Sequence, residues 1–205
     1  MNFKKLQAMQ AKLDGTILAD KAPMTEEERF NKTLVALSVE IAEVANCAEH
    51  FKFWKDGKGK VDSDRFYRIS QTVREGKPFV PKYVDLESNH PGALSFEQTH
   101  RLTLIEECSD ALHFILSLAN QVDFEINGIG THFEISEDTD SLEKNVLFLN
   151  QVIGLGDFNH FHSDLEMIID VFFIYVNQLG ISEQELEQAY YDKNKINYER
   201  LENGY

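Results

Sequence analysis

Residues 96–121, FEQTHRLTLIEECSDALHFILSLANQ, place apolar side chains at helical spacing, and from Ala111 to Ala119 they are apolar nearly all round. A surface helix keeps one polar face, so a segment without one is enclosed on most sides. The stretch predicts the central helix of an all-α fold, with the other helices bundled around it. On it Glu107, Asp110 and Phe114 stand at i, i+3 and i+7, which puts two carboxylates and one ring on a shared face.

Upstream, Thr25 followed by Glu26, Glu27 and Glu28 reads as a capped helix start. Leu34, Leu37, Ile41, Val44 and Ala48 then recur at helical spacing, which predicts a helix over about residues 25–53. Glu40 and Glu43 fall on one flank of that stripe, within reach of a core edge. Nearer the N-terminus Phe3, Leu6, Gln10 and Leu13 trace a first amphipathic helix with a polar residue at one inward position. Gln10 is open to two readings, a core glutamine satisfied by backbone groups or a donor–acceptor pair offered to a ligand.

Between the two acidic helices the pattern breaks. From Asp56 to about Gly92, glycines and prolines punctuate mixed charge, and short strands or a hairpin are expected near Arg65–Val73 and Pro78–Val84, with no catalytic role assigned to them. Val122 to Asp140 reads as an irregular acidic connection. Helices are then expected over about Leu142–Ile153 and Asn159–Leu179. Gly180 stops the second, and Ser182-Glu183-Gln184-Glu185 caps a last helix running to about Glu202. At 205 residues the length favours one domain.

Glu40/Glu43 and Glu107/Asp110 are each spaced i, i+3. Like charges so placed repel by roughly 0.2–0.5 kcal/mol even on an exposed helix, and by more where water is excluded. Bringing both pairs together calls for a cation between them, and hard oxygen donors suit Mg²⁺. A solvated acidic face is the competing reading of either pair alone. Lys193, Asn197 and Arg200, at i, i+4 and i+7 of the last helix, form a polar, cationic stripe. That stripe is either a triphosphate clamp or a set of ion pairs to neighbouring glutamates.

The balance of 35 acidic against 20 basic residues, a formal charge of −15, argues against non-specific binding to nucleic acid or membranes. No apolar run approaches the length of a membrane span, and the N-terminal stretch lacks a signal-peptide core. Cys47 and Cys108 lie in predicted helices without a disulfide framework. A soluble protein of a reducing cytoplasm is the expectation.

Three stretches together, ALSVEIAEVANCAEHFKFWK (36–55), EECSDALHFILSLAN (106–120) and KNKINYERLENGY (193–205), resemble the dimeric all-α dUTPases. These belong with the MazG-like enzymes in the all-α nucleoside triphosphate pyrophosphatase superfamily. The resemblance implies hydrolysis of dUTP to dUMP and pyrophosphate, with Glu40, Glu43, Glu107 and Asp110 holding Mg²⁺, or Mn²⁺ in its place. Glu40, ahead of Glu43, would orient or deprotonate the attacking water.

By the same resemblance Trp54, His113 and Phe114 line the deoxyuridine pocket, and Gln10 and Asp14 make the uracil-edge contact. Asp14 stands where some members have Asn, exchanging an amide for an acceptor-only carboxylate. Lys52, Lys193, Asn197, Arg200 and Tyr205 would grip phosphates and sugar. The resemblance also implies a homodimer and a bacterial or phage type, acting in a bacterial cell or a phage-infected host. The 56–100 stretch looks like an insertion between the metal motifs. Two rivals are an enzyme of the same fold acting on dCTP or a broader nucleotide set, and a non-enzymatic helical dimer serving as a binding module.

Overall fold

The computed structural model describes residues 1–19, 21–69, 82–87, 92–128 and 141–204. Its helices are α1 (Phe3–Ala19), α2 (Glu26–Ala48), α3 (Phe96–Gln121), α4 (Leu142–Leu155), α5 (His162–Gln178) and α6 (Glu183–Glu202). Two short strands, β1 (Phe66–Ile69) and β2 (Lys82–Asp85), lie between α2 and α3.

The helix starts are chemically marked. Thr25 accepts from the Glu28 amide, Ser141 from that of Lys144, and Ser95 and Ser182 each form a reciprocal capping box, with Gln98 and Glu185. Each box satisfies two amide donors that the first helical turn would otherwise leave unpaired.

The all-α expectation holds, and α3 is the central element, packed against α1, α2, α5 and α6. Ala111, Leu112, Ile115, Leu116, Leu118 and Ala119 are fully buried, facing several neighbours at once. From α2, Leu37, Ile41 and Val44 join the same core, and α4 and α5, packed together, enclose it with Leu149, Phe172 and Tyr175. Fully burying such side chains stabilises the fold by roughly 1.5–3 kcal/mol each.

Helix α2 ends at Ala48 rather than near residue 53. Glu49 takes the left-handed conformation (φ 54°) while its amide still bonds Ala45 O, so the helix closes there. The Glu49 side chain turns into the connection and binds Lys52 Nζ (2.8 Å), Lys55 Nζ and the Gly59 amide (3.0 Å). Phe51, Lys52, Phe53 and Trp54 therefore sit on a turn. Gly59 has φ 103° and the His100 ring 2.8 Å from where a Cβ would project, so only glycine fits.

The strands pair antiparallel, with Phe66 opposite Asp85 and Ile69 opposite Lys82, in keeping with the expected hairpin; residues 70–81 lie outside the described residues. A bridge from Tyr83 to Leu94 ties β2 to the start of α3. Of the expected irregular connection, residues 122–128 are irregular and 129–140 lie outside the described residues. Among the described residues no single helix is long and apolar enough to cross a membrane.

Candidate active site

The pairing of α2 with α3 brings the two acidic motifs together. One carboxylate oxygen from each of Glu40, Glu43 and Glu107 lies within 4.8 Å of the others. Glu40 is half-buried, and its Oε2 is buried without a protein partner. Burial, followed by the charges of Asp110, Glu43 and Glu107, pushes the Glu40 carboxyl up to about 7. Burial, then Asp110 and Glu43, pushes Glu107 up to about 7 as well. Carboxylates so close disfavour one another's ionisation.

Asp110 faces a cation of the protein's own. Its Oδ2 accepts from Lys193 Nζ at 2.7 Å, and Lys193 also meets Glu106 Oε1 at 2.9 Å. Burial raises the Asp110 pKa, and the Lys193 ammonium and Arg200 oppose that rise. The α6 stripe thus reaches the acidic cluster, with Asn197 half-buried and Arg200 exposed one and two turns beyond Lys193. Of the two readings of the stripe, the ion pairs are seen at Lys193, whose partners are Glu106 and Asp110.

One and two turns further along α3 from Asp110, His113 and Ser117 meet α1, where Gln10 is buried in a polar network. Its Nε2 donates to Asp14 Oδ1 (2.7 Å), and its Oε1 faces Tyr190 OH (3.0 Å) and His113 Nδ1 (2.7 Å). Ser117 Oγ donates to Asp14 Oδ2 at 2.6 Å and accepts from Gln121. Gln10 is satisfied by side chains rather than by backbone. Burial pushes the His113 imidazole down to about 3, and its Nε2 is buried without a protein partner. The neutral ring therefore carries its proton on Nδ1 and keeps Nε2 as an acceptor.

The remaining expected residues are placed as follows. Phe114 is partly buried against the core. Lys52 is held by Glu49, and Trp54, 65 % exposed, lies edge-on to Phe53 and Phe51. These contacts lie within the turn itself. Tyr205 lies outside the described residues.

Sequence reading passed over Glu106, Arg65, Asp85, Ser117 and Tyr190. Only Glu106 carried a hint, as the first acid of the Glu106-Glu107 doublet. Tyr190 stands one turn before Lys193, and its ring stacks on His113 at 4.2 Å between centroids.

The donor set is three hard carboxylates with one orphaned buried oxygen, and in two of them burial, with mutual repulsion second, disfavours the charged form. A divalent cation relieves that repulsion and fills the orphan's valence, so the residues fit such an ion. A family model described as dUTPase matches residues 2–67 and 96–205.

The chain belongs to the dUTPase family.

Its activity is that of a dUTP diphosphatase, a nucleoside triphosphate pyrophosphatase, which sets aside the non-enzymatic rival. Enzymes of the dUTPase family act on a nucleotide and typically use a divalent metal, in keeping with the acidic cluster. The match is interrupted over 68–95, so residues 56–67 and 96–100, expected as part of an insertion, belong to its matched portions. No match is found among curated proteins.

Proposed function

We propose that this dUTPase cleaves the α–β phosphoanhydride of dUTP with Mg²⁺ held by Glu40, Glu43, Glu107 and Asp110, Mn²⁺ being able to substitute. The convergence of three carboxylates from α2 and α3 beside the Lys193 ammonium carries this reading. When bound, the cation neutralises the triphosphate, lowers the pKa of water and stabilises charge that develops on the phosphate oxygens.

The chain's own residues supply the rest. Glu40 Oε2, free of protein partners, accepts a hydrogen bond from the attacking water and takes its proton. Lys193 offers a point charge and Arg200 a bidentate fork to the phosphates, while Asn197 and Tyr205 serve the sugar and phosphates. Lys52 joins them from the turn after α2, where Glu49 holds its ammonium. The base lies against Trp54, His113 and Phe114. Gln10, with Asp14, orients the edge-reading groups.

The working unit is a homodimer with sites near the subunit interface. Exposed Val35 and Val39 form an apolar strip on the flank of α2 leading to Glu43, which favours such a pairing. Buried, free Cys47 and Cys108 accord with the cytoplasm of a bacterial or phage-infected cell. Pyrophosphate release measured with dUTP, UTP and the four standard dNTPs, with Mg²⁺ and with chelator, tests the proposal. Selective, Mg²⁺-dependent turnover of dUTP is expected; equal rates across nucleotides, or undiminished turnover in chelator, overturn it.

A further inference from the structure

We propose that Arg65 and Asp85, from the stretch between α2 and α3, are positioning residues for the reaction, fixing the Lys193 ammonium through Glu106. The inference rests on the placing of Lys193 at the triphosphate. Every link in the chain of contacts is bonded. Lys193 Nζ meets Asp110 Oδ2 at 2.7 Å and Glu106 Oε1 at 2.9 Å, and the other Glu106 oxygen accepts from Arg65 Nη1 at 2.6 Å. Arg65 then forks onto Asp85, Nε to Oδ1 at 3.3 Å and Nη2 to Oδ2 at 3.1 Å.

The far end of this chain is anchored. Asp85 is 7 % exposed, ends β2, and accepts the Glu87 amide on Oδ1 at 3.0 Å. Arg65 is pinned at its backbone, donating from its amide to Asp62 Oδ1 (3.3 Å) and accepting from the Leu86 amide (3.0 Å).

Lysine carries a compact charge on a flexible stem, so its position is set by what holds the ammonium. The Lys193 side chain is largely covered, 11 % exposed, but on one side it borders open space. A cleft of about 1030 Å³ opens between α3, α6 and the strand pair, lined among others by Arg65, Asp85, Ile105, Glu106, Lys193 and Ile196. Without Arg65 the second Glu106 oxygen would be unbonded and the carboxylate free to turn toward that cleft, leaving Lys193 held by Asp110 alone. Divided between two cations, one on each oxygen, the carboxylate stays put. Asp85 belongs to residues 68–95, outside the family match, so this stretch contributes to a site whose other residues lie inside the match.

A double-mutant cycle on kcat/KM for dUTP decides the matter, because an ion pair that merely folds the strand pair acts independently of Lys193. We expect Arg65→Ala to lose about ten- to a hundredfold, the scale of a misplaced catalytic contact. Asp85→Asn should lose in the same direction by less, and neither should cost anything further in a Lys193→Ala background. A parental kcat/KM for Arg65→Ala, or a loss that persists undiminished in the Lys193→Ala background, overturns the relay. A parental kcat/KM for Lys193→Ala alone overturns the placing of Lys193 at the triphosphate, and the relay with it. Helical circular dichroism monitors folding; if Arg65→Ala does not fold, Asp85→Asn in the two backgrounds decides by the same criterion.

Discussion

Nδ1 of His113 lies 2.7 Å from Oε1 of Gln10, across the interface of α3 with α1. The contact fixes both groups. Asp14 accepts from Ser117 Oγ and takes the Gln10 amide nitrogen, which leaves Oε1 for the ring and obliges the ring to present N–H. With burial holding the imidazole near 3, His113 stays neutral over the range in which an ordinary histidine titrates. Nitrogen-resolved NMR of this ring should show a single Nδ1–H tautomer from about pH 5 to 8. Between about 3 and 6.5 the unfolded chain binds the extra proton, so the contribution of His113 to stability declines as pH is lowered through that window.

Gln10→Ala removes the group that orients the ring. The KM for dUTP should rise by about tenfold, the worth of one or two buried hydrogen bonds, with a smaller change in kcat. Steady-state kinetics with dUTP and dCTP checks this, and an unchanged KM would remove Gln10 from the base site.

Glu40 and Glu107, both raised to about 7 from an unfolded value of 4.5, contribute stability that is fully present below pH 4.5. That contribution is lost as pH rises through 7, because charged carboxylates are then buried away from water and, secondly, face one another. In chelator the protein should melt at lower temperature at pH 8 than at pH 6, and Glu40→Gln should raise the pH 8 melting temperature by a few degrees. Mg²⁺ should stabilise the parent more at pH 8 than at pH 6 and release protons on binding, measurable by calorimetry in buffers of different ionisation enthalpy.

Glu43→Ala and Asp110→Ala should each abolish dUTP hydrolysis, by more than the roughly 10–100-fold that removal of a mere supporting partner causes. The helical spectrum should be retained, since Glu43 is exposed and Asp110 half-buried. Substantial residual turnover in either variant would take that residue out of the metal site.

Trp54 is the single tryptophan of the chain, so tryptophan emission, excited beyond the absorption of the seven tyrosines, reports on the 49–55 turn. Being 65 % exposed, it should emit at long wavelength in the free protein and shift to the blue on binding dUMP, whose base would cover the indole. An emission spectrum indifferent to saturating dUMP would place the base elsewhere.

Glu49 supports that turn. Burial pushes its carboxyl up, but Lys52 and Lys55 outweigh this and hold it down at about 2, so its contribution is present above pH 4.5 and lost as pH falls toward 2. Glu49→Ala strands the Gly59 amide and should cost about 1–3 kcal/mol in urea denaturation at pH 7. At pH 2 the gap between variant and parent should narrow.

The sequence by itself determined the helices and the candidate acids. Helical periodicity and capping side chains are local properties, so Thr25, Ser182 and the apolar run 111–119 mark their elements without reference to the rest of the chain. The carboxylate spacing likewise put Glu40 with Glu43, and Glu107 with Asp110, on shared faces. Tertiary structure decided what those faces meet. Packing of α2 on α3 turned two weak spacings into one cluster, and α6 delivered Lys193 to Asp110. Glu49 closed α2 early because its carboxylate found three donors in the following turn, which no helical pattern reveals. Arg65 and Asp85 are 20 residues apart, and Arg65 lies 41 from Glu106. Contacts over such separations are set by where the packed elements bring side chains together, so no local pattern in the sequence records them.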